Sequence, residues 1–154
     1  PFQWCAQDSV ETLDEKRAYL MEILKIKGVR YTFHDSLVSK VEAVLAKGGR
    51  EVSSLLLLAH ARGAVLDGWS EHFDSVLWRS VLEEWERDYK EISDRDRNAD
   101  EFFPWEVIDC GVSRDWLYDE YEKSKRSCVT GDCRGNCRQC GISRIAECFK
   151  GAVR

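Results

Sequence analysis

Four cysteines in the last quarter of the chain carry its densest chemistry: Cys128, Cys133, Cys137 and Cys140, spaced C-x4-C-x3-C-x2-C with Gly131, Gly135 and Gly141 among them. Glycine lets a backbone fold tightly enough to aim several thiolates at one ion. Four thiolates close a tetrahedral zinc site with Zn–S bonds of about 2.3 Å, and the same ligand set holds an iron-sulfur cluster, so the spacing points to a metal without choosing it. The pattern differs from the paired C-x2-C of zinc ribbons, and its competing reading is free or disulfide-linked thiols. Seven cysteines are an odd number, and no secretory signal accompanies them. Metal ligation in a reducing, cytoplasmic compartment is therefore the expectation. A closed site is a structural staple, around which a glycine-rich loop with almost no core of its own would fold.

The surroundings of these cysteines are basic. Residues 123–154 carry eight Lys and Arg against Asp132 and Glu147, a local charge of +6 within a chain of net −5. Lys125, Arg126, Arg134 and Arg138 would offset thiolate charge, or alternatively contact phosphate. With Phe149 as the one aromatic partner for stacking, the case for RNA is thin.

Elsewhere, His34 and Asp35 stand at the end of a strand-like segment, where they would act as a polar or proton-transfer pair, or as a satisfied strand end with Asp35 capping the next helix. Asp67, Trp69, Glu71 and His72 cluster around Gly68 and would line a pocket. Their alternative is a turn at Gly68, a cap at Ser70 and a core tryptophan at Trp69. His60 lies in an apolar helical stretch and reads as a hydrogen-bonded core residue. Acid pairs such as Glu83-Glu84, or Asp94 with Asp96, read as solvated faces.

The elements that must position these groups are mostly helical. Asp8 and Glu11 suggest a capping box for a helix over about 9–27, ended by Gly28. Residues 29–34 (Val-Arg-Tyr-Thr-Phe-His) are β-branched and aromatic enough for a strand. Asp35-Ser36 then caps a helix whose face is Leu37, Val38, Val41, Val44 and Leu45, closed by Gly48-Gly49. A helix over 52–66 follows, with Leu55–Leu58 suggesting burial on most sides, and a third amphipathic helix spans 70–89. Residues 90–101 form a charged connector, Pro104-Trp105 opens a short unit, and Ser113 caps a helix carrying Trp116, Leu117 and Tyr121. No internal repeat is evident.

At 154 residues, 44% hydrophobic and 33% charged, the composition is that of one globular domain, and no apolar run approaches the roughly 20 residues that span a membrane. The chain starts at Pro1 without an initiator methionine or a basic and apolar leader, so it reads as part of a longer polypeptide.

Several separated motifs carry a resemblance over essentially the whole chain: Pro1-Phe2-Gln3-Trp4, Phe33-His34-Asp35, Asp67-Gly68-Trp69-Ser70-Glu71-His72-Phe73, Pro104–Ser113, and Asp132-Cys133-Arg134 through Cys140-Gly141. In this order they resemble the C-terminal third of a family of bacterial radical S-adenosylmethionine (radical SAM) proteins with an N-terminal cobalamin-binding-like domain. The resemblance implies a mainly α chain with a minor β contribution. Residues 1–35 would end a partial (β/α) barrel with a helix and its last strand, 36–94 would form a helical extension, 95–127 a connector with a short helical unit, and 128–154 a basic, cysteine-rich metal-binding tail. It also implies an upstream part of the same polypeptide holding S-adenosylmethionine on a 4Fe-4S cluster, preceded by a cobalamin-binding-like domain that is a candidate site for cobalamin. The C-x3-C-x2-C string here, Cys133 to Cys140, lies at the opposite end from that catalytic motif and reads as an accessory site. The family's further cysteine three residues past Cys140 is Ser143 in this chain, which makes Cys128 the expected fourth ligand. The fragment alone is not expected to be active. Two other readings stand beside it: a self-standing zinc adaptor contacting RNA or protein through the basic tail, and a helical module whose cysteines are incidental.

Overall fold

A computed structural model describes residues 1–146. Residues 147–154, including Glu147, Cys148, Phe149, Lys150 and Arg154 of the basic tail, lie outside the described part. The chain is mainly helical and divides into two compact units, one formed by Ala6–Asp96 and the other by Pro1–Cys5 with the chain from Arg97 onward. The first unit is thus an insertion in the sequence of the second. No described helix is long and apolar enough to cross a membrane.

The Ala6–Asp96 unit contains α1 (Val10–Ile23), α2 (Ser36–Lys47), α3 (Val52–Ala61), α4 (Ser75–Glu84) and the short α5 (Tyr89–Ser93). Its core follows helical periodicity: Leu37, Val41 and Val44 from α2, Leu55 and Ala59 from α3, and Trp78, Val81 and Leu82 from α4, extended by Trp85. Asp35, Asp74 and Asp88 start their helices by accepting amide hydrogens of the first turn, so each entry angle is fixed by a short acidic side chain. Trp85 closes the core and donates its indole N–H to Ser54 Oγ at 2.9 Å. Lys40 is 1% exposed and pairs with Asp94, while its ammonium also reaches the Asp8 carbonyl at 2.9 Å. A buried ammonium needs both partners, since leaving it unpaired costs several kcal/mol, on the order of 3–5. This pair ties α2 to the end of α5.

Several expectations change here: α1 ends at Ile23 and not near 27, and Asp94 holds buried Lys40 and is no solvated face. Ser9, not Asp8, caps α1, accepting from Thr12 N at 3.2 Å. Residues 29–34 form no strand: their one backbone bond within the described residues runs from Val29 N to Ile26 O at 3.2 Å. A strand exists only where an edge accepts its amides and carbonyls, and β propensity alone does not supply one. The helix after Gly49 stops at Ala61 and the next starts at Ser75 behind Asp74, so Ser70 caps nothing. Within the leucine run Leu55 is buried, whereas Leu57 is 71% exposed and His60 is also exposed, because a helix packed on one side turns every other face outward.

The second unit is built around Trp4. The 3₁₀ turn Phe2–Trp4 places this indole edge-on to Phe103 and Tyr118, with ring centroids at 5.6 and 5.0 Å, and parallel to Tyr121 at 5.9 Å. Arg114 lies over the Trp4 and Phe103 rings, donates to the Ala99 and Glu101 carbonyls at 2.7 and 2.6 Å, and pairs with Glu106. Trp105 Nε1 donates to Gln3 Oε1 at 2.8 Å. A 3₁₀ turn over Pro104–Val107 leads to α6 (Arg114–Lys125), which Ser113 caps by accepting from Trp116 N at 3.2 Å.

Candidate metal centre

After α6 the chain reverses. Cys128 N donates to Lys123 O at 3.0 Å, closing the helix, and Thr130 Oγ1 donates to the Glu120 carboxylate that also holds Lys123. Those two donors, Lys123 first and Thr130 second, hold the Glu120 carboxyl below its usual range. Arg138 Nε then reaches Gly131 O at 3.0 Å and draws the next turn back along the loop.

Cys137-Arg138-Gln139-Cys140-Gly141 forms a tight corner. Gln139 and Gly141 are both left-handed, at φ +57° and +102°, and Gln139 N lies 3.4 Å from Cys137 Sγ as a donor. The corner rests on the start of α6: Ser113 N donates to Cys140 O at 2.7 Å. A Cβ built on Gly141 would lie 2.8 Å from Gly111 O, so the approach itself requires glycine.

This docking separates the four expected ligands. Cys140 is fixed at the N-terminal end of α6 and Cys128 follows its C-terminal end, and the intervening 12 residues of helix span about 18 Å. Cys128, Cys133 and Cys137 are exposed and Cys140 is half-buried, all as free thiols. Among the described residues no group of three or more Cys, His, Asp or Glu side chains converges as a ready metal site. The donor chemistry of these thiols suits zinc or an iron-sulfur cluster.

The basic side chains near the cysteines are engaged locally. Arg134 binds Asp132 with both its Nε and Nη2, Lys125 pairs with Glu122, and Arg138 is held by Gly131 O.

The other candidates separate as well. Asp35 is occupied as the cap of α2, and His34 beside it is exposed. Asp67, Trp69, Glu71 and His72 lie on a turn, with Trp69 N donating to Leu66 O at 3.0 Å and His72 N to Trp69 O at 2.9 Å. Trp69 is 63% exposed, so it is not packed into the core of this chain. One cysteine outside the expected set stands close to the corner: Cys110, next to the glycine against which Gly141 is pressed.

Comparison with family models, curated proteins and solved structures returned no significant match for this chain.

Proposed function

We propose that this chain is the C-terminal region of a radical SAM protein of the cobalamin-binding-like family, where it covers the open side of the partial barrel and carries an accessory thiolate metal centre. The observation that carries this reading is an unpartnered apolar flank. No residue of α1 is buried, and Tyr19, Met21, Ile23, Ile26, Val29 and Phe33 are all large apolar side chains left in solvent. Large apolar side chains left exposed in this number mark a segment that another element covers. The flank ends in segment 29–34, which forms no strand in this chain and would become one only against an edge supplied by the upstream part.

In this reading the upstream part of the polypeptide supplies reductive cleavage of S-adenosylmethionine on its own 4Fe-4S cluster. The present chain packs its apolar flank against that part and keeps water from the reacting centre. Cys137 and Cys140 hold zinc or an iron-sulfur cluster in the tail, which fixes the tail to the start of α6. Catalytic groups of the reaction belong to the upstream part, and the substrate is not assigned.

The coding DNA that precedes the Pro1 codon tests the reading. An open frame continuing upstream through a C-x3-C-x2-C motif is the expected result. A start codon close to Pro1, with no such motif in frame, overturns it.

A further inference from the structure

Cys110-Gly111-Val112-Ser113-Arg114 recurs thirty residues later as Cys140-Gly141-Ile142-Ser143-Arg144, with isoleucine for valine as the one change. The chain therefore does contain a short internal repeat. Both glycines are left-handed, at φ +80° and +102°, but the chain after them differs: Ser113 is extended as the cap of α6, whereas Ile142–Arg144 is already a 3₁₀ turn. The copies are also docked on each other. Ser113 N bonds to Cys140 O, and a Cβ on Gly111 would lie 2.4 Å from Ile145 Cδ1 and 3.0 Å from Ile142 Cδ1. Gly111 N is fixed in turn by Asp109 Oδ1 at 2.7 Å. Two Cys-Gly corners pressed together put their cysteines one residue, about 3.8 Å of chain, from the contact on each side.

We propose that Cys110 is a ligand of the metal centre together with Cys133, Cys137 and Cys140, and that Cys128 is not. The proposal rests on reading the tail as a metal centre and names its ligand set. Cys133 precedes Cys137 by four residues in the exposed loop and reaches the corner as that loop closes, whereas Cys128 is held at the far end of α6. Cys110 is exposed, so its thiol turns between staggered rotamers without displacing packed neighbours. Four thiolates then complete a closed tetrahedral set that bridges the two copies of the repeat.

Alkylation of the full chain in a non-thiol reductant, with and without one equivalent of zinc and read by peptide mass spectrometry, tests the assignment. Zinc is expected to slow labelling of Cys110, Cys133, Cys137 and Cys140 at least tenfold and to leave Cys128 within twofold. Labelling of Cys110 unchanged by zinc, or protection of Cys128, overturns the proposal while leaving the centre itself intact if Cys137 and Cys140 are protected. No protection of any cysteine removes both the centre and its ligand set. In a parallel titration, Cys110→Ser is expected to weaken zinc binding tenfold or more and Cys128→Ser less than twofold; the reverse order contradicts the assignment.

Discussion

Ser113 and Cys140 meet through a single backbone bond of 2.7 Å, and the same serine caps α6 with its hydroxyl. The cysteine corner is therefore referenced to a helix end whose other contacts reach the Trp4, Phe103 and Tyr121 cluster. A loop without a core of its own borrows the rigidity of one that has it.

Gly141→Ala is expected to break this registration. The left-handed φ of +102° disfavours any Cβ by roughly 1–2 kcal/mol, and the 2.8 Å approach to Gly111 O adds a clash. The variant should keep its helical circular dichroism, since the fault lies outside α6, and bind zinc at least tenfold more weakly. Unchanged zinc affinity would show that the docking does not matter to the site.

Asp94→Asn leaves Lys40 buried with the Asp8 carbonyl but without its carboxylate. Breaking such a pair costs about 3 kcal/mol, to be read as a shift of the urea midpoint at unchanged slope. A loss below about 1 kcal/mol would mean that the ammonium finds water.

Acid should loosen the 120–130 hairpin. The folded Glu120 carboxyl titrates below its unfolded value, about 4.3, so its contribution is complete above that pH and is lost as pH falls through the lower folded value. The Thr130 signal in an NMR titration is expected to move with a midpoint below 4.3. Glu120→Gln should abolish that step, and a step surviving in the variant would assign it to another group.

The flank of α1 predicts association. Sedimentation of the chain should show mass rising with concentration, and Met21→Glu combined with Ile23→Glu should suppress the rise while changing stability by less than about 0.5 kcal/mol, as for exposed positions generally. A monodisperse monomer at every concentration would count against a covered flank.

What the sequence disclosed and what it hid follow one division. Periodicity and caps are local, so Leu37, Val41 and Val44 on α2 and the cap at Ser113 were legible. Segment 29–34 was misread because strand formation depends on a partner edge, which composition does not report. Burial of His60 and Leu57 was misjudged because a run of apolar residues does not say how many sides of a helix are covered. At the cysteines, spacing along the chain favoured Cys128. The fold places a 12-residue helix between it and Cys140 and sets Gly111, next to Cys110, against Gly141. The repeat that marks Cys110 was present in the sequence, but at five residues it gains meaning only when its copies are seen in contact.

Metal content and the ultraviolet-visible spectrum of protein purified without oxygen test the central claim most directly. One equivalent of zinc with no absorbance near 400 nm, or iron with matching sulfide and a brown chromophore, is the predicted result, since both are centres that four thiolates hold. Protein that is folded and free of zinc and iron, and that takes up neither when they are supplied under reducing conditions, would contradict it.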